Sequence, residues 1–250
     1  MTPQVPEYLV TFETAFRPFV VAIALMLIWM GAARMEGSAR SRYGTAGALS
    51  VALIVWLAIA QYLGAANIYA PSGEGAVPTV LFGLLIPLIV AAVSVRLSRR
   101  IANLVSAIPL PWVVASQVYR VGGGIFLVLW ADGRLPWQFA LPAGIGDVTT
   151  GCLALVVAAL LAQASPRALR AAYSWSVFGM ADLVVAVMMG GMTSPGRAHL
   201  LALDAPNLLI SSYPLVMVPT FAVPLALMLH SPVLWRLRRE VGSTGRLVAA

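Results

Sequence analysis

Long apolar runs separated by short polar stretches divide this chain into seven segments. A bilayer-spanning helix needs about 20 mostly apolar residues at about 1.5 Å rise each. The runs meet that length at 16–33, 44–66, 76–95, 111–131, 138–163, 171–192 and 207–230. They are continuous, whereas the strands of a membrane barrel alternate polar and apolar residues over about ten positions. The pattern therefore predicts an all-α bundle of seven transmembrane helices, forming one integral membrane domain over 1–250.

Three stretches depart from a plain span. Between residues 96 and 108 the apolar residues Ile101, Leu104, Val105 and Ile108 recur at helical spacing, with Arg96, Arg99, Arg100 and Asn103 on the other face. That is the signature of a basic amphipathic helix on a membrane surface. The fifth run follows Asp132-Gly133-Arg134 and contains Pro136, Trp137 and Pro142, so its regular helix is expected to start as late as Pro142. The seventh carries Pro214, Pro219 and Pro224, each of which removes a donor and frees a carbonyl four residues earlier. Ser211, Ser212 and Thr220 stand close enough to satisfy that backbone.

The arginines orient the bundle. Arg34, Arg40 and Arg42 fall in the first loop, Arg96, Arg99 and Arg100 in the third, and Arg167 and Arg170 in the fifth. The tail adds Arg236, Arg238, Arg239 and Arg246, while the opposite side holds Arg17, Arg134 and Arg197. The bias predicts an outside N-terminus and a cytoplasmic C-terminus.

Composition narrows the class. The chain is 60% hydrophobic and 10% charged, with a mean hydropathy of +0.90, far from the roughly 25% charge of soluble domains. Its net charge of +7 is spread over alternate loops, which excludes the single basic face of a nucleic-acid binder. Cys152 is the one cysteine and lies in an apolar run, so no disulfide framework exists. Glu7 and Glu13 precede the first run without the basic segment of a secretory signal. Lysine is absent, which excludes a retinal Schiff base, and the all-arginine usage with abundant Ala and Gly points to a bacterial inner membrane.

Candidate chemistry centres on charges inside the runs. Arg120 is read as the one basic residue in the middle of a span; Asp147 and Asp182 sit in the next two spans. An arginine at mid-bilayer costs about 2.5–3.5 kcal/mol on insertion scales, so it calls for a partner and a role. Counting from the span ends puts Arg120 about 13 Å deep, Asp147 about 12–14 Å and Asp182 about 16 Å, one shared layer. Gln117 shares the Arg120 helix face, and Gly144, Thr150 and Gly151 frame Asp147 with small residues suited to a bundle interior. One guanidinium neutralises one carboxylate, which leaves the other acid to carry a proton or bind a cation.

Elsewhere the chemistry is thin. His230 falls at the end of the seventh run, where helix capping accounts for it. Met188, Met189, Met192 and His199 suit a soft metal, but methionine is a common filler of apolar helices. No nucleophile–base pair stands out, so the chain is expected to be neither an enzyme nor a holder of metal or cofactor. These residues predict a small-solute or ion transporter, proton-coupled through Arg120, Asp147, Asp182 and Gln117, with protons or a small anionic solute as cargo. The competing expectation is a receptor or accessory subunit whose Arg/Asp cluster is structural.

Overall fold

The computed structural model describes residues 4–70 and 78–248, with 237–248 as backbone alone. Every regular element among the described residues is helical. Helices α1 (Glu7–Arg34), α2 (Ala39–Ala65) and α3 (Val80–Leu97) lead into a short α4 (Arg99–Ala107). Next come α5 (Leu110–Ser116), a 3-10 segment (Gln117–Gly124) and α6 (Ile125–Ala131), which together make one span. Helices α7 (Trp137–Ala162) and α8 (Ala168–Thr193) follow, and a π-turn (Val218–Ala222) opens α9 (Val223–Val248). Seven of these units are long and apolar enough to cross a membrane. Their outward faces carry apolar residues such as Ile54, Val55 and Ile59 on α2 and Ile86, Ile89 and Val90 on α3. That arrangement is compatible with lipid as the solvent.

Helix boundaries follow local chemistry. Ser98 leaves helical geometry at φ −109° and its Oγ accepts from the Ile101 amide, which closes α3 and starts α4 as a separate helix. Leu104 and Ile108 turn inward to pack with Leu27, Val113 and Val114, while Arg99 and Arg100 remain exposed. Arg236 then donates to the Val105 and Ile108 carbonyls, satisfying the orphan acceptors at that helix end. On the opposite side, Gly133 at φ +68° lets Arg134 and Gly133 donate to Leu129 and Trp130, a Schellman ending for α6. Arg134 also pairs with Asp132 at 2.5 Å. That guanidinium, with the Tyr8 hydroxyl, holds the Asp132 carboxyl below its usual range.

The expected spans shift at three places. The first begins at Glu7, not 16, because Glu13 and Arg17 continue the helix as a buried i, i+4 pair. The second begins at Ala39, not 44, where the Ser38 side chain caps it. The fifth begins at Trp137, in agreement with the expected 138, and only its late start at Pro142 is overturned, since Pro142 lies inside the helix. The seventh is corrected most. Residues 207–216 run as turns, bends and irregular backbone, and the spanning helix covers Val218–Arg236. Ser211 and Ser212 both donate to the Leu208 carbonyl and Thr220 to Val216, so the proline-interrupted stretch finds its partners in turns and a π-turn. Residues 76–77 of the expected third span lie outside the described residues, as do the side chains of Arg238, Arg239 and Arg246.

Candidate functional site

The centre of the bundle is built on glycine. In hydrocarbon no hydrophobic force drives helices together, so close approach depends on small residues. Gly122-Gly123-Gly124 weakens the α-helix of the fourth span, which tightens into 3-10 over Gln117–Gly124. A Cβ on Gly122 would lie 2.2 Å from the Phe16 ring, and one on Gly123 would lie 2.3 Å from Asp147 Oδ2. A Cβ on Gly151 would likewise stand 2.7 Å from the Val121 amide nitrogen. Helix α7 therefore lies against the 3-10 segment at backbone distance, and Arg120 projects from that segment into the interior.

Four of the five guanidinium N–H groups of Arg120 are engaged. Its Nε donates to Asp147 Oδ1 at 2.7 Å, and one Nη donates to Asp182 Oδ2. The other Nη serves two acceptors, the Gly179 carbonyl at 3.0 Å and His230 Nε2 at 3.3 Å. The arginine side chain is 2% exposed, against 14% for Asp147 and 7% for Asp182. Helices α7, α8 and α9 are thus gathered by one planar group.

Arginine can only donate, so His230 Nε2 must accept and its proton resides on Nδ1. Nδ1–H then donates to Ser176 Oγ at 3.0 Å. The imidazole tilts against Trp175 at a ring distance of 4.8 Å, and the Trp175 indole donates to the Thr150 carbonyl at 2.9 Å. Room for these side chains comes again from glycine. A Cβ on Gly179 would meet His230 Cε1 at 2.7 Å, and one on Gly146 would meet Asp182 Oδ1 at 1.6 Å.

The structure brings Arg120, Asp147 and Asp182 into direct contact. It leaves Gln117 out, because that fully buried amide donates to the Ala226 carbonyl at 3.0 Å. His230 is the member that sequence reasoning missed. Residues 207–230 match a contiguous helix poorly, and once the span is Val218–Arg236 the histidine lies well inside it.

Residues 77–238 match a family described as a domain of unknown function, DUF8737. The chain belongs to the DUF8737 family. No curated protein and no solved structure matches it. The matched stretch contains Arg120, Asp147, Ser176, Asp182 and His230, so the whole cluster lies within the DUF8737 segment.

Helix α1 lies outside that segment and contributes a second buried pair. Arg17 and Glu13 stand 3.6 Å apart, 9% and 4% exposed, and Arg17 donates to the Tyr213 hydroxyl at 3.3 Å. The expectation that Arg120 is the one basic residue in the middle of a span is corrected here. Arg17 is also buried, 9% exposed, and lies well inside its helix because α1 starts nine residues before the predicted run.

Two cavities meet at Asp147. The smaller, about 40 Å³, is lined by Phe12, Glu13, Phe16, Arg120 and Asp147 among others. The wider, about 100 Å³, extends to Tyr69, Thr79 and Ser194 at the helix ends. Both also touch Phe126 and Leu183. Asp147 Oδ1 is taken by Arg120, and Oδ2 has no protein donor among the described residues. Asp182 Oδ1 likewise has no protein donor among the described residues, but Asp182 lines neither cavity, so Asp147 is the carboxylate that faces open space.

Proposed function

We propose that this DUF8737 protein is a small-solute or ion transporter of a bacterial inner membrane, with its N-terminus outside and its C-terminus cytoplasmic. The observation that carries this reading is a charge surplus placed at a cavity. Arg120 contributes one positive charge against the two carboxylates of Asp147 and Asp182. Glu13 and Arg17 balance each other, so among the described residues these buried charges leave one negative charge when all are ionised. In a low-dielectric interior that surplus requires a proton or a cation. Asp147 is the group best placed to receive it, because it, unlike Asp182, lines both cavities and its second oxygen has no protein donor among the described residues. Arg120 has four N–H groups already satisfied, which favours a neutralising role over capture of an anionic solute. The arginine bias between alternate loops supports the orientation.

A second reading keeps one observation of its own. The guanidinium is nearly dry and cross-links three helices, as a structural lock in a receptor or accessory subunit would. Proteoliposomes enclosing a pH-sensitive dye separate the two. Transport predicts that a solute gradient moves protons in the wild type and that Asp147→Asn abolishes the movement while the protein still folds. No proton movement with any solute of a broad panel, alongside loss of folding in Asp147→Asn, would leave the structural lock.

A further inference from the structure

Among the described residues, the wider cavity combines largely apolar walls with one charged side chain, that of Asp147. Phe126, Phe139, Leu183, Val187 and Ile210 form its sides, and the Phe126 and Phe139 rings meet edge-on at 5.1 Å between centroids. Asp147, ten residues into α7, closes the inner end. A water occupies roughly 10–15 Å³ by this measure, so about 100 Å³ exceeds one or two waters. Apolar cavities of that order admit small aromatic molecules, and ring faces attract cations. The charge at the inner end is negative, and the cluster behind it holds the surplus carboxylate.

We propose that this cavity binds a small ammonium ion, its apolar body along Phe126, Phe139 and Leu183 and its charge at Asp147 Oδ2. The inference rests on the transport reading of the same site and names its cargo class. Arg120 sets the direction of selectivity. Its positive charge behind Asp147 repels a cation that penetrates further, so the ammonium stops at the outer oxygen while the body fills the apolar space. A neutral isostere gains the walls and loses the charge contact. An anion of the same shape meets an unpaired carboxylate oxygen and is excluded.

The test is thermal unfolding of the purified protein in detergent with benzylammonium and with benzyl alcohol. Benzylammonium is expected to raise the midpoint in a concentration-dependent way, and benzyl alcohol is not. Asp147→Asn should weaken benzylammonium binding at least about tenfold. Gly191→Leu supplies a variant that leaves Asp147 intact. A Cβ at Gly191 meets nothing within 4 Å, and the residue lines the cavity, so leucine adds bulk to the cavity wall from a helical position whose first carbon is unobstructed. It should abolish benzylammonium binding too, even if Asp147→Asn fails to fold. Equal stabilisation by benzyl alcohol would overturn the proposal, because the cavity would then take any apolar molecule, a lipid chain included. Binding that survives Gly191→Leu would overturn it by placing the ion elsewhere. Benzylammonium binding without proton movement in liposomes sinks transport and leaves the binding site standing; proton movement without benzylammonium binding does the reverse.

Discussion

Asp182 occupies the space where a side chain on Gly146 would be, its Oδ1 only 1.6 Å from the position of a Cβ on that glycine. Helices α7 and α8 approach because one of them lacks a side chain where the other buries a carboxylate. Gly146→Ala is therefore expected to force the carboxylate off Arg120 and cost about 1–3 kcal/mol. Gly191→Ala is the control, since its methyl meets open space; it should be neutral or stabilising by up to about 1 kcal/mol. Chemical unfolding in detergent reads both. Equal destabilisation by the two would mean that the interhelical approach is looser than described.

Arg120 should be the most costly single residue to remove. Arg120→Met leaves two buried carboxylates facing each other without a counter-charge, a change expected to cost about 3–5 kcal/mol. Replacing the acids as well, in Arg120→Met/Asp147→Asn/Asp182→Asn, should recover most of that stability. A triple variant no more stable than Arg120→Met would show that the cluster is not held by charge balance.

His230 and Ser176 should be energetically coupled. His230→Phe strips an acceptor from Arg120 and a donor from Ser176, with an expected cost of about 1–3 kcal/mol. Ser176→Ala in that background should add less than it does alone, with a coupling of about 0.5–3 kcal/mol in a double-mutant cycle. Strict additivity would break the assigned Nδ1–H to Ser176 hydrogen bond.

The Asp132–Arg134–Tyr8 contact carries a pH signature outside the spans. The folded carboxyl lies below its ordinary 3.8, so its contribution is present above that pH and is lost as pH falls through the folded value. The midpoint gap between wild type and Asp132→Asn should thus be constant near neutrality and close in acid. The residue is exposed, so the gap is small and should shrink further in high salt. A gap that widens in acid would reverse the assigned sign.

Residue depth is legible in the sequence, and it groups Arg120, Asp147 and Asp182 because each span has a fixed rise per residue. What hydropathy does not supply is the start of each helix. Glu13 and Arg17 look like a polar approach to the first run, although a buried i, i+4 pair continues the helix through them. Pro214, Pro219 and Pro224 hide the true beginning of the last span, so His230 reads as terminal when it lies among Ser176, Trp175 and Arg120. The glycines are visible as a small-residue stripe. Their individual duties depend on which side chain stands opposite, and that is information between helices.

The eight 3-10 residues Gln117–Gly124 have a mechanical consequence. A 3-10 helix rises about 2.0 Å per residue against about 1.5 Å for an α-helix, and turns about 120° per residue against about 100°. Rewinding this stretch as α would draw α5 and α6 together by about 4 Å and swing one relative to the other by about 160°. Arg120 lies within the overwound turns and is tied to α7, α8 and α9, so those ties act as a latch on a coiled spring. Spin labels at positions 112 and 128 should report the stroke as a shorter distance once Arg120→Met releases the latch. An unchanged distance would mean that the glycines alone fix the winding.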